Sequence, residues 1–448
     1  MQDLTQGSIR GHLVTMAIPI AVGMLFQTLY FLIDLYFVAR LGNAAIAGVA
    51  SAGNLSFLVL ACTQVLGVGT VALISQAVGR KDQPGAMLVF NQSLGLGLFC
   101  ALACLVLGYL GERGFAGAFG SDEATRVAGG TYLRWYLPAL ALQFTLVAMG
   151  SALRGTGIVK PTMIVQMLTV LLNIALAPIL IGGWITGHPL GVAGAGLASS
   201  IAVLVGVLMI AVYFHRLEHY VAVDRALMPP RWSSCRQILA IGLPSGGEFL
   251  MMFVIFGFLF WVVKPFGAQA QAGVGVGSRV MQGIFLPAMA VAFAVAPVVG
   301  QNFGAQQFGR VRAAFRNAAW MSALLMLLAM VACLWRAPSL IRFFSSDAQA
   351  IAVGSGYLRY LAWNFLCSGF VFTCSGTLQG LGNTWPSLWS SASRLLTFVV
   401  PVLWLSMQPG FAITHVWVVS IISVTLQALL IGALLLRKLM QLPVTRAA

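Results

Sequence analysis

The sequence predicts an all-α polytopic membrane protein, with twelve transmembrane helices in two homologous six-helix lobes related by a pseudo-two-fold along the membrane normal. Three observations carry that expectation: the composition, the length of the apolar runs, and an internal repeat. The 448 residues are 60% hydrophobic and only 8% charged, whereas soluble domains need roughly 25% charged residues to cover their surface. A net charge of +15 would point to nucleic acid in a soluble chain. Here basic loops on one side of a membrane account for it, and no nucleic-acid partner is expected.

Apolar runs long enough to cross about 30 Å of hydrocarbon lie near 13–39, 46–78, 88–110, 131–153, 161–184, 190–214, 238–263, 272–303, 317–335, 357–378, 386–408 and 411–436. Runs such as Leu58-Val59-Leu60-Ala61 and Leu168-Thr169-Val170-Leu171-Leu172 do not alternate between polar and apolar residues, which excludes the strands of a membrane barrel. The first run is too long for a signal-peptide core and no small-residue cleavage site follows it, so it is expected to stay in the mature chain. If the N-terminus lies inside, inner segments hold 15 of the 25 basic residues, from Arg10, Arg80 and Lys81 to Arg437, Lys438 and Arg446. Outer segments hold 6: Arg40, Arg113, Arg126, Lys264, Arg336 and Arg342. That bias predicts two cytoplasmic termini. Arg outnumbers Lys by 21 to 4, which fits a GC-rich bacterial genome and hence a bacterial inner membrane.

The repeat appears when the chain is laid on itself, without gaps, in the register that puts Pro19 on Pro244. Gly42 then meets Gly267, and Ala47-Gly48-Val49 meets Ala272-Gly273-Val274. Gln76 and Gly79 meet Gln301 and Gly304, Ser121-Asp122 meets Ser346-Asp347, and Tyr132-Leu133-Arg134 meets Tyr357-Leu358-Arg359. Gly155, Gly157 and Pro161 meet Gly380, Gly382 and Pro386. The expected organisation is a first lobe over 1–214, a polar, basic linker over 215–237 on the cytoplasmic side, and a second lobe over 238–448. Six spans per half give both halves the same orientation, so the repeat is parallel rather than inverted. Two lobes around a central cavity suit alternating access, and the repeat argues for a transporter; a duplicated scaffold housing an enzyme or a channel is the competing reading.

Of ten acids, eight fall in the tail, in loops or at span edges, Glu112 among them, and only Asp34 and Glu248 sit well inside apolar runs. A carboxylate in hydrocarbon costs a few kcal/mol even on lenient scales, about 3. Asp34 follows Pro19 by 15 residues, which places it about 20 Å further along the helix, in the outer half of the membrane. Gln27 and Tyr30 precede it by seven and four residues and share its helical face. Such a group is suited to binding and releasing a proton; the alternative is an acid that lines water or pairs with a base. Glu248 has two readings of equal standing, a second cation carrier or an ion pair with Arg394 of the eleventh span. Arg279, in the eighth, either tunes Asp34 or snorkels. Pro19 and Pro244 each remove a backbone hydrogen bond within a span, marking either bendable helices near a binding site or static kinks.

Seven cysteines form no CxxC pair, the five histidines have no ligand spacing, and no HExxH, GxSxG or P-loop motif is present. No metal, cofactor or catalytic centre is therefore expected. The run from Pro19-Ile20 through Gln27, Tyr30 and Asp34 to Leu41-Gly42, followed by Ser75-Gln76-Ala77-Val78-Gly79, resembles the first two helices of the multidrug and toxic compound extrusion (MATE) family. Pro297-Val298-Val299-Gly300-Gln301-Asn302-Phe303-Gly304-Ala305 is similar to the ending of that family's eighth helix, and Arg154-Gly155-Thr156-Gly157 with Pro161 to the turn between its fourth and fifth helices. With twelve spans and a six-plus-six repeat, the resemblance covers nearly the whole chain.

The resemblance implies an efflux antiporter that exports bulky and often cationic compounds in exchange for protons or sodium; separately, the chain is expected to act as a monomer. It links the acid at Asp34 to cation coupling, with Asn173 and Ser199 as its polar companions. The family's Asn-x-x-x-Asp-Pro reads Asn173-Ile174-Ala175-Leu176-Ala177-Pro178 here, so the usual second acid is missing. A sodium site needs several hard oxygens, whereas proton coupling needs one titrating group; protons are therefore the favoured coupling ion, with sodium the alternative. The nearest rival is a lipid-linked precursor flippase of the same superfamily, which tends to carry extra spans and cationic cavities. A membrane-embedded enzyme is the rival from another class.

Overall fold

A computed structural model describes residues 1–443 apart from 120, 121, 185, 186, 219 and 345; the side chains of Phe31, Ser51, Ala52, Asn54 and residues 112–119 also lie outside the description. Ser121 of the repeat and Arg446 of the basic inner segments therefore fall outside the described residues, as do the side chains of Glu112 and Arg113.

Among the described residues there is no strand, and thirteen α-helices follow one another: α1 (Ile9–Ala39), α2 (Asn43–Gly79), α3 (Gln83–Phe119), α4 (Glu123–Gly155), α5 (Lys160–Gly182), α6 (Val192–Arg216), α7 (Trp232–Val263), α8 (Ala268–Gly304), α9 (Phe308–Arg342), α10 (Ala348–Leu361), α11 (Asn364–Gly380), α12 (Trp385–Ser406) and α13 (Ile413–Met440). Eleven are long and apolar enough to cross a membrane, and α10 with α11 makes a twelfth span if the bent pair counts as one. The expected single span over 357–378 is thus corrected: α10 and α11 meet at 57°. No proline causes the bend. Around Ala362 and Trp363 the ladder switches to three-residue steps, Trp363 N–H to Tyr360 O at 3.4 Å and Phe365 N–H to Ala362 O at 3.1 Å, and the helix restarts at Asn364. In α9, Arg336 leaves helical geometry (φ −118, ψ 18) two residues ahead of Pro338, where a proline ring would collide with the preceding turn.

Matching backbone devices explain the repeat. Gly42 (φ 107) opens α2 and Gly267 (φ 96) opens α8, both in a region closed to residues with a Cβ. Lys81 and Gln306, which meet in the same register, are the two non-glycine residues with positive φ among those described. Asp122 accepts from Thr125 N–H at 2.7 Å and Asp347 from Ala350 N–H at 2.6 Å, which caps α4 and α10 alike. Close helix crossings recur too. A Cβ on Gly48 of α2 would lie 2.6 Å from the Gly129 nitrogen of α4, and one on Gly273 of α8 would lie 2.9 Å from the Ala350 oxygen of α10. Small residues let helices approach where lipid offers no hydrophobic drive to associate.

The chain divides into two compact units, Met1–Asp3 with Val22–Leu243, and Leu4–Ala21 with Pro244–Ala448. The division runs through α1, three residues after Pro19, and through α7, at Pro244. In the first unit, the ring of Phe90 on α3 stacks on Phe214 of α6 with centroids 4.7 Å apart. The segment before α7 is bound to α3: Gln92 Nε2 donates to Leu227 O at 2.6 Å and to Pro229 O at 2.8 Å, and its Oε1 accepts from Arg231 N–H at 2.7 Å. In the second unit, the segment before α1 is held in the same manner. Leu4 N–H donates to Gln301 Oε1 at 2.9 Å, Asn302 Nδ2 donates to Leu4 O at 3.1 Å, and Arg10 Nε donates to Asn317 Oδ1 at 2.9 Å. Gln92 and Asn317 are themselves counterparts in the repeat.

Candidate functional site

In the first unit α1, α4, α5 and α6 bring together Asp34, Tyr30, Tyr132, Asn173 and Ser199. Asp34 lies one turn beyond Tyr30 and one before Val38, and that face of α1 is turned inward: Asp34 is buried at 6% exposure and Val38 fully. The Tyr132 hydroxyl, from α4, donates to Asp34 Oδ2 at 3.3 Å. Asn173 of α5 is fully buried, and its Nδ2 points at the Tyr30 hydroxyl and at Ser199 Oγ, each at 3.5 Å. These are long contacts. Tyr136, one turn after Tyr132, stacks on it with ring centroids 5.0 Å apart.

Two buried oxygens of this cluster, Asp34 Oδ1 and Asn173 Oδ1, have no hydrogen-bond partner among the described residues. Buried oxygens in that condition are costly unless something donates to them or binds them. Ala177, one turn after Asn173 on α5, is fully buried in an apolar cluster with Val38, Leu137 and Ile181, so the position where a second acid would stand is filled by hydrocarbon. Among the described residues no group of three or more His, Cys, Asp or Glu side chains gathers around a common point.

α4 reaches this cluster despite Pro138 in its middle. Ser200 of α6 inserts its hydroxyl into the ladder, donating to Trp135 O at 2.5 Å and accepting from Ala139 N–H at 3.2 Å. The Tyr109 hydroxyl donates to Arg134 O at 3.2 Å, the carbonyl that the proline leaves without its usual N–H.

The other expected residues are placed differently. Gln27, although seven residues before Asp34, is exposed and sits outside the buried cluster. Arg279 of α8 is exposed and belongs to the second unit. Glu248 and Arg394 form no ion pair; the only one among the described residues is Arg126 with Glu123, at 3.7 Å on an exposed edge. Glu248 instead accepts from Ser375 Oγ of α11, with Oε2 at 3.0 Å, and Arg394 stands beside Tyr357, whose hydroxyl meets Ser278 Oγ at 3.1 Å. A hydroxyl with both donor and acceptor capacity reaches the carboxylate without the rotamer cost of spanning to a guanidinium. Pro19 and Pro244 are both buried inside their helices. Tyr132 and Tyr136 were not expected at the site; the signal for the first was its place in the repeat, where Tyr132 matches Tyr357.

A bundle of long apolar helices, built twice on one backbone plan, with an acid buried among hydroxyls and an amide in one half, defines a multispan integral membrane transporter. The MatE family model matches residues 19–179 and 244–405, the two stretches beginning at the repeat prolines. The chain belongs to that family, whose members are multidrug efflux transporters and not enzymes. It is 24% identical over 425 residues to the probable multidrug resistance protein YoeA of Bacillus subtilis, covering 93% of this chain and 91% of the relative. It is 25% identical over 372 residues to the multidrug export protein MepA of Staphylococcus aureus, covering 82% and 80%. A solved MOP-superfamily transporter from Pyrococcus furiosus, described as having a binding pocket of reverse polarity that suggests a different function, superposes with a TM-score of 0.92 at 25% identity, covering 99% of this chain and 98% of that one.

Proposed function

We propose that the protein is a proton-coupled antiporter that exports organic, often cationic, drugs by alternating access, with Asp34 as the group that carries the proton. The observation that carries this reading is the Asp34 carboxylate itself, buried on α1, held through Oδ2 by Tyr132 and with Oδ1 open. A group that must bind and release a proton needs one such open oxygen and a partner that orients the other. Asn173, Ser199 and Tyr30 line the same pocket as polar companions. Ala177 favours protons over sodium, because the apolar position removes a hard oxygen that a metal cation would use.

In this mechanism Asp34 takes up a proton from the outside, α1 reorganises near Pro19, and the drug leaves outward. Alternating access then returns the proton to the cytoplasm. The change of unit within α1 and α7, beside Pro19 and Pro244, supports helices that bend there. Glu248, with Ser375, is a secondary carrier. The protein works as a monomer in the bacterial inner membrane with both termini in the cytoplasm, as the distribution of basic residues suggests.

The test is efflux of a fluorescent organic cation from proteoliposomes under an imposed pH or sodium gradient, comparing wild type with Asp34→Asn. The expected result is efflux that follows the pH gradient alone and disappears in Asp34→Asn at unchanged incorporation. Efflux that needs sodium, or that survives the substitution, overturns the assignment and makes Glu248 the next residue to test.

A further inference from the structure

At the end of the second unit where α9 begins and α13 ends, a groove of about 530 Å³ opens between α9, α11 and α13. Its walls are hydrocarbon and aromatic: Trp320 and Ala323 of α9, Phe370 of α11, and Leu436 and Met440 of α13. Trp320 is 73% exposed and Met440 75%, so the groove is open to the surroundings at both of these walls. Gly432 lets the Phe370 ring lie against α13, since a Cβ there would come within 2.9 Å of it. Phe315 braces the same ring with centroids 6.2 Å apart.

The mouth is cationic. Arg312 is committed to the end of α13, donating from Nη2 to Leu442 O at 2.7 Å and to Leu439 O at 3.2 Å, which fixes the floor of the groove. Arg316, one turn further along the same face of α9, is exposed and makes no hydrogen bond or ion pair among the described residues. Arg437 and Lys438 stand in the last turn of α13. None of α9, α11 and α13 contains an Asp or Glu, and no acid is among the residues that line the groove.

We propose that this groove is a binding site for an anionic phospholipid, with the phosphate on Arg316 and an acyl chain along Trp320, Phe370 and Leu436. An organic cation is repelled by the mouth, and a soluble anion leaves the apolar walls uncovered. A lipid of negative charge satisfies both parts. Basic pockets between transmembrane helices recognise anionic headgroups, and exposed tryptophan anchors at the interface level. Each basic residue near such a headgroup contributes about 1 kcal/mol, or about fivefold in affinity.

The experiment is native mass spectrometry of the purified full-length protein titrated with phosphatidylglycerol or with phosphatidylcholine of the same chain length. Phosphatidylglycerol is expected to bind more tightly, by about fivefold or more. Arg316→Gln is expected to remove that preference, whereas Arg225→Gln, an exposed arginine in the first unit, leaves it intact. Leu436→Trp, at a half-exposed position that tolerates size, is expected to fill the groove and weaken binding of the lipid without lowering the melting temperature. Equal binding of the two lipids, or equal effects of Arg316→Gln and Arg225→Gln, overturns the proposal. Displacement of the lipid by inorganic phosphate at matched concentration also overturns it, since the site would then read a soluble anion.

Discussion

Asp34 and Leu259 occupy corresponding places in the two halves, and their surroundings have opposite chemistry. Around Asp34 stand Tyr30, Tyr132 and Asn173. In the register of the repeat Tyr30 becomes Ile255, Tyr136 becomes Leu361 and Asn173 becomes Phe398, and all three join Leu259 in one buried apolar cluster. Of the site tyrosines only Tyr132 keeps its identity, as Tyr357, and there its hydroxyl meets Ser278 rather than a carboxylate. The backbone devices did not diverge in this way. Gly42 and Gly267, and Lys81 and Gln306, share their positive φ in both halves, and Asp122 and Asp347 make the same helix cap. A positive φ or a helix cap is demanded by the local chain path and has few solutions, whereas a buried face can be filled by polar or apolar groups as long as each polar atom is satisfied. The duplication therefore kept the scaffold and left only the first half with an acid at this position.

The contrast can be challenged at several points. Asp34→Leu copies the second half into the first. It is expected to abolish ion-driven efflux to the level of empty vesicles while raising the melting temperature by a few degrees, because a buried carboxylate is replaced by hydrocarbon; a thermal melt beside the vesicle assay reads both. The reverse graft, Leu259→Asp, places an acid in an apolar cluster with no partner prepared for it and is expected to cost about 3 kcal/mol, seen as a lower midpoint on thermal unfolding and no gain in coupling.

Ser200→Ala tests how α4 stays continuous where its counterpart is broken. Pro138 in α4 and Trp363 at the α10–α11 break are counterparts in the repeat, yet only the first has a hydroxyl inserted between the parted groups. Removing it leaves Trp135 O and Ala139 N–H unpaired at a cost of about 1–3 kcal/mol, and efflux should fall with the displaced Tyr132. The smallest effect is expected for the tyrosine pair. Tyr132→Phe should slow efflux about fivefold, the equivalent of one hydrogen bond of about 1 kcal/mol, whereas Tyr357→Phe should leave the ion dependence unchanged. Equal effects from the two would mean that Tyr132 acts only as packing.

Much of this was legible in the chain. The spans follow from run length, because a bilayer has a fixed thickness and a helix a fixed rise. Gly42, Gly157 and Asp122 announced the repeat because turns and caps are local events. Asp34 stood out because an acid inside an apolar run is costly wherever it points. Gln27 misled, since seven residues bring it within about 20° of Asp34 around the helix but about 10 Å away along the axis, where that face is exposed. Glu248 and Arg394 looked like partners from sign and depth, but a pairing between separate helices depends on rotation about each axis, and sequence does not state that angle.

Hydropathy and local backbone constraints were enough to give the spans, twelve when the bent pair α10–α11 counts as one, the two-fold repetition of the chain and the presence of a single acid deep in each half. Packing between distant segments was needed to establish that Tyr132 orients Asp34 while Ser375 holds Glu248. It also set the bend of the tenth span at Ala362 without a proline, the mending of α4 at Pro138 by Ser200, and the change of unit beside a proline in both α1 and α7. Each of these is a contact or an interruption that depends on how helices rotate and pack against neighbours far away in the chain, and that information is carried by the fold as a whole rather than by any one segment.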